Sequence, residues 1–534
     1  MKLKRFAAAL LSALMVLGLS ATALAASNPA LPPDTGNLHI HKYLLASGTE
    51  PTDPGDPDGN PSPTLPEDAT PLAGITFNLY KINTNSTSSG TPNGYLPGNG
   101  SYRFDGNTTL TYYPAGGGQS VTFTVAAANP ASITTGDGED GTTLGVATAN
   151  NLAQGYYLVV EQADDRVANP ADPFVVAVPM TNPADESSWI TDVHVYPKNQ
   201  GLDVSKTITS TTDSVSIGDT VEYTIKAYIP SGIYSDVGTE DANIEYVITD
   251  TLDESLTFNS TSLVVKGHAD EADTNGTALT ATTHYTLNSA PAFSVTFTDE
   301  GRKELYDRGY SYITITFNAT VNENALDKET STVGNQADLD FTNKFDQEVN
   351  GESDIVDIHY GNIQVIKQDA ANQTRLNGAQ FQIASSQENA EAGHYLKKTT
   401  DGKVVDYGEE GYDEAEDWIV TTANDGDADG MAIFEGLADY TGTGDGKTYL
   451  SYWIVETKAP DGYNLLADPV QVTFSAENST SENAYTVEIT VNNTQGFTLP
   501  ETGGTGTILF TVGGIALVGV AVILLVTTRK RKAQ

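Results

Sequence analysis

Three lysines, three carboxylates and three asparagines recur in one order along the sequence, each where a strand would bury it. Side chains on an extended strand alternate between faces with a period of two. On that rule Lys42 shares a face with Leu38 and Ile40, Lys206 with Leu202 and Val204, and Lys367 with Ile363 and Val365. The acids behave alike: Glu161 is in phase with Tyr157 and Val159, Asp250 with Tyr246 and Ile248, and Glu456 with Tyr452 and Ile454. The asparagines complete the sets. Asn199 aligns with Val193, Val195 and Pro197, Asn335 with Ala337, Leu339 and Phe341, and Asn493 with Ile489 and Val491.

A charged lysine or carboxylate in an apolar core is costly, and desolvation answers by lowering the amine pKa and raising that of the acid. A neutral amine beside a carboxamide is a nucleophile, and a protonated acid can polarise the amide and shuttle protons. The expected product is a Lys–Asn amide with loss of ammonia, a single-turnover self-modification and not enzymatic catalysis. Any one of these residues alone reads as a snorkelling lysine or a polar edge residue. Three sets in phase and in the same order do not.

Strands must position these groups. The chain of 534 residues has 49 glycines, 26 tyrosines and no cysteine, and long amphipathic helical patterns are scarce. The pattern predicts an all-β protein of immunoglobulin-like sandwich domains. Without disulfides, a bond tying the first strand of a domain to the last would supply the missing staple. The net charge of −43 argues against nucleic acid or an anionic membrane surface as partner. No nucleotide loop, nucleophile–His–Asp set or cofactor motif appears, and seven histidines scattered along the chain suggest no metal cluster.

Domain boundaries follow from an internal repeat. Gly36–Lys42 corresponds to Gly361–Lys367, Gly74–Leu79 to Gly378–Ile383, and Tyr157–Glu161 to Tyr452–Glu456. Two copies of one module are expected, at 26–199 and 361–498, around a related but distinct sandwich at 200–360. The Pro-, Asp- and Gly-rich stretch 50–71 is expected as an exposed insertion that forms no ladder. Lys2, Lys4 and Arg5, the apolar run Phe6–Leu19 and Ala23-Leu24-Ala25 form a secretory signal peptide, 1–25. At the other end, Leu499-Pro500-Glu501-Thr502-Gly503 precedes the uncharged run 508–526 and then Arg529-Lys530-Arg531-Lys532, long enough to span a bilayer with a cytoplasmic basic tail.

Pentapeptide, apolar span and basic tail, occurring together within 499–534, resemble the LPXTG sorting signal of Gram-positive surface proteins. Tyr452–Tyr463 resembles the E-box of Gram-positive pilins, and Val195-Tyr196-Pro197-Lys198-Asn199 resembles their pilin motif. The whole is similar to the shaft (major pilin) subunit of sortase-assembled fimbriae of actinomycete and corynebacterial type. That resemblance implies three tandem Cna-type sandwiches, secreted and anchored to cell-wall peptidoglycan. It implies cleavage between Thr502 and Gly503 by a sortase cysteine, then transfer of Thr502 to Lys198 of an identical subunit, giving a covalent head-to-tail fibre that supports adhesion. It also implies pilus-specific and housekeeping sortases as partners, and leaves open a tip adhesin and a host receptor. Carried over residue by residue, it implies isopeptide bonds Lys206–Asn335 with Asp250 and Lys367–Asn493 with Glu456. The first-domain bond varies among relatives, so Lys42–Asn199 with Glu161 is implied less firmly.

Lys198 is out of phase with Val193, Val195 and Asn199, so it is expected to face solvent. Asp425, Asp427 and Asp429 open like a calcium loop, but position twelve is Gly436 and a hairpin turn is the better reading. The alternative function is a monomeric wall-anchored adhesin binding a host glycan or protein. A wall-anchored hydrolase is disfavoured because no paired catalytic carboxylates stand out.

Overall fold

The computed structural model describes residues 31–45, 69–87, 96, 100–114, 119–126, 131–343 (except 140, 165, 169, 172, 184–185, 231, 235–242 and 290–291), 347–423, 429–443, 446–478, 480, 484–496 and 505–531. The signal peptide, most of the 50–71 insertion and the pentapeptide 499–503 lie outside the described residues. The chain divides into two compact units, Met1–Tyr360 with Thr441–Thr448, and Gly361–Tyr440 with Tyr449–Gln534.

In the first unit, Thr35–His41 is the middle of a three-stranded sheet, antiparallel to Val146–Ala153 and parallel to Asp192–Val195. Its alternating burial sends Leu38 and Ile40 into a core with Phe77, Leu79, Val159, Val176 and Val193. All of those partners but Val193, which sits beside Leu38 in the same sheet, come from a second sheet in which Gly155–Glu161 pairs with Thr76–Thr87 and Phe174–Val178. Past Lys42 the chain starts a new ladder, Tyr43–Leu45, parallel to Lys198–Gln200 and antiparallel to Thr70–Pro71. The end of the 50–71 stretch therefore does form a ladder. It lies on the sheet's edge, where the missing N–H of Pro71 leaves no interior bond unmade.

The same unit holds a second core between two five-stranded sheets. Val204–Ile208, Thr220–Tyr228 and Tyr312–Val321 are consecutive in one sheet; Glu245–Asp250 and Ala337–Thr342 are neighbours in the other. Alternation along Thr220–Tyr228 and from Ile313 to Val321 buries Val221, Tyr223 and Ile225 against Ile315 and Phe317.

The second unit repeats the first arrangement. Gly361–Asp369 runs antiparallel to Met431–Leu437 and parallel to Thr486–Asn493, over a sheet that pairs Gln380–Ala384 with Ser451–Lys458. Gly74 and Gly378 each stand just before the corresponding second-sheet strand with φ of 82° and 81°, a left-handed turn that a side chain at either position would strain. Thr505–Arg531 is one helix whose apolar side chains from Leu509 to Val526 are exposed, and Leu509–Arg529 within it is long and apolar enough to cross a membrane.

Candidate functional site

Each predicted lysine, acid and asparagine is buried; the first and third sets meet through hydrogen bonds, and in the middle core Lys206 meets Asp250 while Asn335 is buried without a partner. Lys42, Lys367 and Asp250 are 0% exposed, and none of the nine exceeds the 7% of Glu161.

In the second unit, parallel pairing puts Lys367 opposite Val491 and Asp369 opposite Asn493. Long side chains from these adjacent strands converge. Lys367 Nζ donates to Asn493 Oδ1 and lies 2.9 Å from Glu456 Oε1. Asn493 Nδ2 reaches both Glu456 oxygens at 2.9 Å and the carbonyl of Asn464 at 2.9 Å. Asn492 is exposed and Asn493 buried, as a period of two requires.

The first core gathers the same three residue types around its acid, but without the lysine–asparagine contact, Asn199 Oδ1 being buried and unpartnered. Lys42 Nζ donates to Glu161 Oε2 at 2.7 Å, and Asn199 Nδ2 donates to Glu161 Oε1. Glu161 pairs with Phe77 across the ladder, as Glu456 pairs with Phe381. The lysine amines lie 5.8 Å from the Phe77 centroid and 5.5 Å from the Phe381 centroid. Each acid also accepts from a backbone N–H ten residues later, Ala171 at 3.0 Å and Leu466 at 2.7 Å. The sequence reading missed these donors. They are main-chain groups with no residue signature, whereas the phenylalanines were visible in the repeated phrase.

The middle set differs. Lys206 donates to Asp250 Oδ2 under the rings of Tyr223 and Phe317, at 5.2 and 5.3 Å from their centroids. Asp250 Oδ1 and both amide atoms of Asn335 are buried with no hydrogen-bond partner in the protein, a cost of roughly 1–3 kcal/mol per group. Asn335 also departs from the expectation of a closing strand. Three strands follow it, and the last, Val356–His359, folds back to pair with Thr332–Asn335 and covers that edge.

Burial dominates the electrostatics. Desolvation pulls Lys42 and Lys206 down to about 8, against the opposing pull of Glu161 and Asp250, and it also lowers Lys367. Desolvation lifts Asp250 to about 6 despite Lys206. A neutral amine beside a neutral acid requires one proton to cross the pair. Desolvation moves the amine down and the acid up, so the transfer costs less here than between the same groups in water. The fold thus makes the reactive protonation state accessible.

Lys198 lies on the strand Lys198–Gln200 and pairs with Tyr43, but its side chain is outside the described residues, as are Leu499–Gly503 and with them Thr502. Asp425 and Asp427 are also outside them; Asp429 accepts from Asn377 Nδ2, which ties a turn. Among the described residues no group of three or more His, Asp or Glu could hold a metal ion. The histidines are nevertheless not all scattered. His39, His41 and His194 gather on the solvent face of the first sheet, because parallel pairing sets His39 opposite His194.

Comparison with known proteins agrees with this architecture. Residues 33–200 match the Gram-positive pilin subunit D1, N-terminal domain; 361–495 match the prealbumin-like fold domain; and 491–533 match the LPXTG cell wall anchor motif. The chain is 32% identical over 414 residues to fimbrial subunit type 1 of Actinomyces viscosus, covering 71% of this chain and 74% of the relative. It is 26% identical over 530 residues to fimbrial subunit type 2 of Actinomyces naeslundii, covering 93% and 90%. The full-length major pilin SpaD of Corynebacterium diphtheriae shares the fold, with a TM-score of 0.52 and 24% identity over 87% of this chain and 98% of that one. On this relationship, its strand-built cores and its anchor, the chain belongs to the family of sortase-assembled fimbrial subunits that form the covalent, wall-anchored pilus shafts of Gram-positive bacteria.

Proposed function

We propose that this subunit is joined head to tail through Thr502 of one copy and Lys198 of the next, and is stapled internally by three Lys–Asn amides. Its three sandwich domains are 26–199, 200–360 and 361–498. A pilus-specific sortase forms a thioester at the Thr502 carbonyl and releases Gly503 as an amine. Lys198 Nζ then attacks the thioester, expels the sortase cysteine and leaves an amide. A housekeeping sortase ends the fibre by passing the last Thr502 to peptidoglycan. A tip adhesin and a host receptor are further partners on this reading.

In each staple, the lysine Nζ attacks the asparagine Cγ, the carboxyl passes a proton to Nδ2, and ammonia leaves. The carboxyl gives one proton and regains one, so each bond costs the chain one ammonia. The observation that carries the reading is the Lys367–Glu456–Asn493 contact set, in which amine, acid and carboxamide already touch. Boiling wall extracts in SDS tests the assembly. A high-mass ladder is expected, and a single monomer band would favour the monomeric adhesin.

The middle staple makes a pH prediction. In an Asn335→Ala variant, Lys206 stays a free amine with its pKa lowered from 10.5 to about 8 by burial. Between those values the unfolded chain holds the extra proton, so stability rises with pH across the window. The variant should gain up to about 3 kcal/mol from about pH 8 to pH 10.5 relative to wild type, whose amide nitrogen does not titrate. Parallel thermal melts check this, and identical profiles would mean that the wild-type lysine is also free.

A further inference from the structure

The strand leading into Lys198 is fastened by an unusual contact. Asp192–Val195 is an edge strand, bonded only to Thr35–His41 in its sheet. Val193 and Val195 hold it from the core side. On the solvent side, His194 stacks on His39 with centroids 4.6 Å apart and planes 13° apart. His41 lies 5.1 Å from His194 and stacks on Tyr196 at 4.5 Å. His41 Nε2 and His194 Nδ1 are 2.8 Å apart, a bond that needs one N–H and one lone pair. Tyr196 is buried and stands two residues before Lys198.

We propose that this imidazole–phenol stack positions the strand that leads into Lys198 and makes presentation of Lys198 sensitive to acid. The proposal rests on the reading of Lys198 as the linking amine. With His41 and His194 uncharged, the stack clamps Asp192–Val195 to Thr35–His41. One proton on the His41–His194 pair is tolerated, because an imidazolium can still donate to its neighbour and Asp192 favours the charged form of His194. A second proton places like charges about 5 Å apart and removes the lone pair from the bond.

The surroundings offer no other compensation among the described residues. Asp192 is already engaged by Asn37 Nδ2 at 2.7 Å and by the Thr191 hydroxyl at 3.2 Å. From Val146–Ala153, the residues opposite His39 and His41 are the uncharged Thr148 and Val146, and the Thr148 hydroxyl bonds His39 Nδ1 at 3.2 Å. Lys42 and Glu161 face the core on the sheet's other side. Burial first, and then the neighbouring imidazoles, lower His41 to about 4; burial and His39 also lower His194. A lowered imidazole pKa means that the released strand binds protons more readily than the clamped one. Opening is therefore favoured as pH falls from about 6.5 toward about 4.

Hydrogen exchange on the full-length chain in detergent tests this at residues 193–196, upstream of the ladder that Lys198–Gln200 makes with Tyr43–Leu45. After correction for intrinsic rates, protection is expected to fall roughly tenfold between about pH 7 and about pH 5, a figure discounted for the half-buried rings. His41→Phe with His194→Phe keeps stacked rings but no protons, and should abolish the acid response. His194→Ala should lose protection already at neutral pH. A wild-type response no larger than that of the double phenylalanine variant would overturn the clamp. A persistent ladder in Lys198→Ala would instead overturn the linking role of Lys198 while leaving the exchange result to stand, so the two readings fail separately.

Discussion

Lys198→Ala is expected to leave a folded, wall-attached monomer and no SDS-resistant species above it. The size of this effect follows from chemistry: without an amine the Thr502 thioester has no pilin acceptor, and only transfer to peptidoglycan remains. Folding should be spared. The strand Lys198–Gln200 holds its register through backbone pairing with Tyr43–Leu45, and the buried side chain there is that of Asn199. Lys198→Arg should fail equally, because a guanidinium stays protonated and is a poor nucleophile. Immunoblots of boiled wall extracts, with thermal melts of the purified variants, check both halves. An undiminished ladder from Lys198→Ala would show that another amine accepts the acyl group. Lys206 is a poor rival, since it is 4% exposed inside the middle core.

Period-two alternation carried the buried sets from sequence to structure because each key residue lies on, or directly beside, a strand with one face in a core. Leu38, Ile40 and Lys42 remain on one face even though the ladder breaks at Lys42. The repeat was legible for a related reason. Its three phrases are the strands whose residues meet in each core, and the Glu161–Phe77 and Glu456–Phe381 pairings show that the match extends to register. What sequence did not yield was non-local or main-chain. The backbone donors of Ala171 and Leu466 carry no side-chain signal. The histidine stack requires knowing that Asp192–Val195 runs parallel to Thr35–His41 in a register that sets residue 194 opposite residue 39. The three strands after Asn335 escaped because alternation identifies a face but not a position in the sheet order. Thr70–Pro71 escaped because a proline-rich stretch can still supply an edge strand.

Asn493→Ala is expected to retain one ammonia more than wild type in intact-mass measurement, whereas Asn492→Ala should match wild type apart from the substitution. The two residues are adjacent, but Asn492 is exposed opposite Gln368, and Asn493 is buried against Lys367 and Glu456. Glu456→Ala should give the same missing staple with Asn493 intact, because amine and carboxamide lose the group that moves the proton between them. The consequence for stability is large. A covalent bond from Lys367 to Asn493 closes nearly the whole second sandwich, and cross-linking a loop of about 100 residues is worth roughly 4–5 kcal/mol on chain entropy. At a few degrees per kcal/mol for a domain of this size, the unstapled sandwich should melt roughly 15 °C lower. Trypsin should also cut it faster, since Thr486–Asn493 pairs only with Gly361–Asp369 and lies on the edge of its sheet, free to peel once the bond is absent. An extra retained ammonia in Asn492→Ala instead of in Asn493→Ala would place the reacting amide on the solvent face and refute the buried site. Retention of the staple in Glu456→Ala would leave the geometry intact but remove the carboxyl from the mechanism. The desolvated Lys367 amine would then have to attack without an acid to protonate the leaving nitrogen.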